Sequence, residues 1–453
     1  MTLNENGRGS IINYYSDSFD IAAAAGRIST TFGSAENIYE KSKGNSHNLD
    51  LISKVLKSGH MSIIEHIYFN LAFNNVSVFV EQFIIEFRLA SFTVQSRRYV
   101  DFSNVGYYLP DNLSKNILKM YNDNMNYLFD CYGRLLELDI PKEDARFVLP
   151  YCFKSNFFCT CNARELMHII CSMIYGKGSD YPEILSLGKS LKEQFEKVLP
   201  NVFEKECGKY IYEKKRFGNV YISKIPKPTF VESNVELISN NVLDTIDLIN
   251  QSNEEADITS YLELLLSPRS RELELISLVY RIANISMAGL THLTRHRIQT
   301  LIIPDILSTL EKNNFILPDS IKNNNTAKSL YLTAIEKNNE CVNELIHLGI
   351  SKELLVYFVL SGNTIDVISS MNAREFFKFS CLRTCNRAQW EIRRIAIEMI
   401  AFARKCNNPL FMHFGPSCYS TGICPEGRMT CGKSGEVKRF FSAEDLKYLE
   451  TIK

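Results

Sequence analysis

The sequence predicts a helix-rich α+β fold, with antiparallel sheet, in two related domains joined in tandem. Three observations carry that expectation. Stretches of the chain match one another at a nearly constant offset: Leu109-Pro110-Asp111 with Leu317-Pro318-Asp319 (208), Ile140-Pro141-Lys142-Glu143 with Ile350-Ser351-Lys352-Glu353 (210), and Asn162-Ala163-Arg164-Glu165 with Asn372-Ala373-Arg374-Glu375 (210). So long a period indicates duplicated whole domains and not a solenoid. Most apolar residues recur at helical spacing. From Tyr68 to Phe73, by contrast, apolar and polar residues alternate, the signature of a strand.

Taken in order, residues 17–58 read as helical, because Ile21 to Ala25 and then Leu49, Leu51, Ile52, Val55 and Leu56 are spaced for one buried face. The strand from Tyr68 leads into a helix over 77–89 and then a polar loop or extended segment from Ser91 to Tyr99. Further helices are expected over 114–138, interrupted by Gly133, and over 162–198. In the second half they are expected over 235–250, 258–266, 272–295, 327–347 and 372–405. Similarity between the halves is weakest from Lys209 to Ser233, where Pro226 and Pro228 favour a linker. The expected domains are therefore 1–225 and 226–412, followed by a cysteine-bearing extension, 413–453.

A chain of 453 residues exceeds the size at which one core keeps growing, so two halves of similar length fit. Lys plus Arg and Asp plus Glu each number 51, leaving no excess charge to hold nucleic acid or an anionic membrane by bulk electrostatics. The start, Met1 to Ser10, is polar, and the apolar run from Ile21 to Ala25 is too short for a signal core or a membrane span. A cytoplasmic protein whose 13 cysteines stay reduced is expected.

Candidate chemistry lies where the halves differ. Arg295-His296-Arg297 stands opposite Glu86-Phe87-Arg88, so only the second half is cationic there. Two guanidiniums around an imidazole suit a phosphate, or a flavin ring that becomes anionic on reduction, although an exposed basic turn has the same composition. In Gln95-Ser96-Arg97-Arg98-Tyr99, an extended backbone points Ser96 and Arg98 the same way, a hydroxyl and a guanidinium for one phosphate. Arg383, between apolar residues, needs a buried partner or an anionic ligand; Met173 is its counterpart.

Together these motifs resemble the flavin-dependent thymidylate synthase family over most of each half. The first half has Gly59-His60-Met61-Ser62-Ile63-Ile64-Glu65-His66, Arg88-Leu89-Ala90-Ser91 with Ser96-Arg97-Arg98-Tyr99, Asp144-Ala145-Arg146-Phe147-Val148-Leu149-Pro150, and Asn162-Ala163-Arg164. The second has the Arg-His-Arg triplet, Phe379-Ser380-Cys381-Leu382-Arg383 and Ala388-Gln389-Trp390-Glu391-Ile392-Arg393. The resemblance implies α/β domains that assemble as homotetramers with FAD and deoxyuridylate (dUMP) between subunits; a fused pair would form a homodimer, a pseudo-tetramer. It implies transfer of a methylene from methylenetetrahydrofolate to C5 of dUMP, completed by flavin that NADPH has reduced, without a protein nucleophile.

By position, Ser29, His60, Ser62 and Glu65 match flavin-side residues of the family, as do Arg295, His296 and Arg297. Asn372 and Arg374, with Asn162 and Arg164, match a flavin-side pair kept in both halves. Ser96, Arg98, Arg146 and Arg383 match nucleotide-binding positions, and Arg98 and Arg383 are the expected catalytic arginines. Each half lacks what the other keeps: Arg295, His296 and Arg383 become Glu86, Phe87 and Met173, whereas Ser96, Arg98 and Arg146 become Asp305, Leu307 and Val356. The expectation is one composite site built from both halves. Val94 and Ile303 replace the family's acidic residue, and Phe83 and His292 replace a glutamine, which opens the alternatives of a different uracil nucleotide or a catalytically silent binding protein.

In the extension, Cys418, Cys424 and Cys431, with His413 or Cys406, make up a candidate zinc set. An iron-sulfur cluster or a loop of reduced thiols would need the same residues.

Overall fold

The computed structural model describes residues 7–15, 17–200, 202–203, 207–216, 222–243, 245, 261–406, 409–443 and 446. It forms two compact units, one of residues 1–227 with 318–361 and the other of 228–317 with 362–453. Among the described residues no helix is long and apolar enough to cross a membrane.

In the first unit, strands β1 (Arg8–Tyr14), β2 (Tyr68–Ser77), β3 (Ala90–Val94) and β4 (Lys154–Asn162) form an antiparallel sheet in the order β1-β2-β4-β3. In the second, β6 (Asn234–Asn240), β7 (Ser277–Ser286), β8 (Thr300–Ile302) and β10 (Thr364–Asn372) form another in the order β6-β7-β10-β8, also antiparallel. The two orders are equivalent, as the duplication requires. A short parallel pair, β5 (Thr229–Phe230) with β9 (Asn314–Phe315), completes the second unit. The duplication reaches single residues. Asn75 and Asn284, in equivalent bulges, take positive φ of 54° and 55°, and their N–H groups donate to Asn156 Oδ1 and Asp366 Oδ1, both at 2.9 Å. Asparagine is among the few non-glycine residues that tolerate this region.

Several expected helices are strands. Residues 234–240 and 277–286 pair in the sheet, and β1 and β4 were not anticipated. Leu278, Tyr280 and Ile282 point inward at every second position, but so short an apolar run also fits a helix, and only sheet pairing decides. Residues 244, 246–250 and 258–260, parts of two expected helices, lie outside the described residues.

Other helices break where continuity was expected. Residues 17–58 form three (Ser18–Ile28, Ala35–Ser42, Asn48–Lys57). Residues 162–198 divide at Gly176, and 372–405 divide between Arg383 and Trp390. A Cβ at Gly176 would collide with the Glu213 carboxylate, which accepts from Ser172 Oγ at 2.9 Å. Gly133, conversely, interrupts nothing: Lys115–Glu137 is one helix. The glycine faces open space, and the buried face of Tyr121, Met125, Leu128, Tyr132 and Leu135 outweighs its cost of about 1 kcal/mol.

Each unit also buries a glutamate against the serine that caps the helix after its second strand. Glu183 accepts from Ser77 N (2.8 Å), Ser77 Oγ (2.6 Å) and Tyr357 OH (3.0 Å); Glu391 accepts from Ser286 N (2.7 Å) and Ser286 Oγ. Burial pushes the Glu183 carboxyl up from 4.5 to about 7, even against those donors. The folded state therefore holds this proton to higher pH than the unfolded chain. Its stabilising contribution is complete below 4.5 and is lost as pH rises towards about 7. Glu183→Gln is expected to remove that slope, on the order of 3 kcal/mol, from urea melts compared on either side of the window. Equal slopes in wild type and variant would contradict it.

Candidate functional site

In the first unit the chain leaves β3 and turns through Ser96, Arg97 and Arg98. Arg97 goes inward, 6% exposed, and pairs with the fully buried carboxylate of Glu81, which also accepts from Ser155 Oγ. Arg98, half-buried, donates through Nε to Glu143 Oε2, and its N–H donates to Ser96 Oγ at 3.3 Å. Arg146, 3% exposed, donates through Nε to the Glu143 carbonyl at 3.1 Å. Glu143 thus ties the two arginines together. Arg146 Nη2 is buried and has no hydrogen-bond partner among the described residues.

Burial, then the charge of Arg97, pushes the Arg146 guanidinium down to about 10. A buried charged donor left unsatisfied is costly, and an anionic oxygen at Nη2 removes that cost. The sequence brought Ser96, Arg98 and Arg146 into one set. It did not point to Glu143, Glu81 or Arg97, whose only signal was position: Glu143 lies three residues before Arg146, and Arg97 alternates with its neighbours.

The flavin-side residues of this unit divide. Arg164 Nη1 donates to Glu65 Oε1 at 2.5 Å, and both line a cavity of about 860 Å³ with Met61, His168 and Tyr210. His60 and Ser62, in the same short turn, are exposed and do not line it. Ser29, also exposed, donates to Gly26 O at 3.4 Å and lies apart from the cavity lining. Asn162 caps helix Ala163–Tyr175 by accepting from Glu165 N at 2.9 Å, and Asn372 caps Ala373–Arg383 by accepting from Glu375 N at 2.8 Å. Capping calls for an asparagine in both repeats, and Asn162 also lines the cavity. Arg374, the counterpart of Arg164, pairs with Glu274 and donates to Pro268 O at 2.7 Å.

In the second unit the basic triplet follows helix Met287–Leu293, with Arg295 and Arg297 exposed and His296 buried between them at 7% exposure. His296 Nδ1 lies 3.2 Å from Glu375 Oε1, and Nε2 accepts from Arg383 Nε at 2.9 Å. Phe379 packs edge-on against the ring, with centroids 4.9 Å apart. Burial lowers the imidazole pKa while Glu375 opposes that shift. Because Nε2 accepts, the ring proton belongs on Nδ1 and His296 is neutral. The two flanking guanidiniums are exposed, whereas the buried imidazole accepts from Arg383.

The metal expectation is corrected. Among the described residues no group of three or more His, Cys, Asp or Glu is arranged to hold a metal ion. Cys431 Sγ accepts from Asn386 Nδ2 at 3.7 Å, Cys424 Sγ donates to Thr430 Oγ1 at 3.7 Å, and burial pushes the Cys418 thiol up and the His413 imidazole down. The Cys424 and Cys431 thiols thus have local polar partners.

The model of the thymidylate synthase complementing protein family matches residues 10–201 and 232–406. A flavin-dependent thymidylate synthase of Geobacter sulfurreducens is 33% identical over 200 residues, 43% of this chain and 86% of that protein. One from Clostridium tetani is 29% identical over 205 residues, 41% of this chain and 82% of that protein. The crystal structure of the Helicobacter pylori enzyme with FAD and dUMP is 22% identical with a TM-score of 0.36, covering 44% of this chain and 99% of that one.

Proposed function

Since the chain belongs to the thymidylate synthase complementing protein family and carries the family's segment twice, we propose that it is a flavin-dependent thymidylate synthase that methylates dUMP at C5. Methylenetetrahydrofolate is the proposed carbon donor, NADPH the reductant, and a cytoplasmic homodimer the working form. The observation that carries the reading is the buried, partnerless Nη2 of Arg146 beside Arg98 and Ser96, a preformed demand for an anionic oxygen such as those of a nucleotide phosphate.

FAD, when bound, would supply the hydride that completes the methyl group. Arg295 and Arg297 would hold its anionic groups, and Glu65 with Arg164 would offer a further polar pair in the first unit. Arg98 and Arg146 bind and orient the nucleotide, Ser96 adds a hydroxyl, and Arg383 stabilises negative charge developing on the uracil. The nucleotide set survives in the first repeat and Arg383 with the triplet in the second, a division that supports one reaction drawing on both.

The test is tritium release from C5-labelled dUMP with methylenetetrahydrofolate and NADPH, scored beside thymidylate formation. Release coupled to thymidylate is expected. Release without thymidylate would favour a different product at C5, and yellow protein that releases nothing would overturn the enzymatic reading.

A further inference from the structure

We propose that Glu375 and His296 are a positioning pair for Arg383, with Glu375 holding His296 as the Nδ1–H tautomer so that Nε2 accepts from Arg383 Nε and fixes the plane of the guanidinium. This rests on the reading of Arg383 as a nucleotide-binding group. The geometry is a chain of two hydrogen bonds, 3.2 Å from carboxylate to imidazole and 2.9 Å from imidazole to guanidinium. Glu375 and His296 are both buried, at 7% exposure each, and Phe379 holds the ring from its edge. An imidazole of the opposite tautomer, or an imidazolium, would present N–H to N–H at Arg383 and break the chain. The carboxylate selects the tautomer by accepting from Nδ1–H, the role that outer partners play behind a ligating histidine, while burial and the neighbouring Arg383 charge disfavour the imidazolium.

The other repeat supplies an internal control. It keeps the glutamate as Glu165 but has Phe87 for the histidine and Met173 for the arginine. There the carboxylate accepts from Leu89 N at 3.1 Å and lies 3.6 Å from His168 Nδ1 at the surface. Without the imidazole it becomes a loop anchor. Histidine and arginine are thus present together in one repeat and absent together in the other, as expected of a unit.

The experiment measures dUMP affinity by calorimetry, and kcat and KM for dUMP, on the full-length flavoprotein. Glu375→Ala and His296→Phe should each weaken dUMP binding by about tenfold to a hundredfold, the usual range for loss of an outer hydrogen-bond partner. The first repeat accommodates phenylalanine at that place, so the second variant is expected to fold even if the first does not. Glu375→Gln should recover most of the affinity, because its amide oxygen still accepts from Nδ1–H. Glu165→Ala removes the same side chain from the same helical position and should cost much less dUMP affinity than Glu375→Ala, separating positioning from mere structural support. Wild-type affinity in His296→Phe, or an equal loss in Glu165→Ala and Glu375→Ala, would overturn the proposal, as would Glu375→Gln no better than alanine. Wild-type protein that neither binds dUMP nor releases tritium would instead overturn the functional reading on which it rests.

Discussion

Arg383→Ala and Arg98→Ala are each expected to abolish thymidylate formation, although the two arginines belong to different repeats. A charge-assisted hydrogen bond contributes roughly 1.5 to 3 kcal/mol, so losing two from one guanidinium lowers the rate by about two to four powers of ten. Arg98 is already half-engaged, through Nε, with Glu143, which orients it before any ligand arrives. Arg383 is similarly engaged at Nε by His296. Changing Glu86, which stands where the second repeat has Arg295 and pairs with Lys177, should leave turnover nearly unchanged. Single-turnover rates of flavin oxidation with dUMP and folate would check this. Near-normal rates in either arginine variant would mean that the two repeats do not share a reaction.

The second large effect concerns stability. Glu81→Ala removes the ion-pair partner of Arg97, which is 6% exposed, and should cost about 3 to 5 kcal/mol because it strands a buried charge. Replacing both members, Arg97→Met with Glu81→Leu, should recover most of that loss, since well-packed apolar residues avoid the desolvation penalty of a buried pair. Urea midpoints of the two variants make the comparison. A double variant as unstable as Glu81→Ala would show that Glu81 acts chiefly through the Ser155 hydroxyl, which also donates to it. Arg97 also fixes the turn that presents Ser96 and Arg98, so Glu81→Ala should weaken dUMP binding as well.

How much of this was legible beforehand varies by element. Helix 325–347 was evident because its apolar stripe is long enough to fix the period, and Lys115–Glu137 was evident for the same reason despite Gly133. Strands β6 and β7 were not, since seven or ten residues with mixed spacing satisfy either period, and the deciding interaction is a hydrogen-bonded neighbour remote in sequence. In the proposed nucleotide set, Ser96 and Arg98 were legible through alternation, and Arg146 only through the family resemblance. His296 was matched to the flavin side with its flanking arginines, and only the fold shows it buried between Glu375 and Arg383; Glu375 drew no attention as one acidic residue in a helical first turn.

By itself, the sequence determined the duplication, the family and the division of polar residues between the repeats, because these depend on residue identity at fixed offsets. Tertiary structure decided which groups are partnered. It paired Arg97 with Glu81, left Arg146 Nη2 without an acceptor, and stacked Glu375, His296 and Arg383 into one line. The physical reason is that burial and hydrogen-bond geometry arise from contacts between distant segments, so a side chain's charge state and direction are properties of the fold and not of its local sequence.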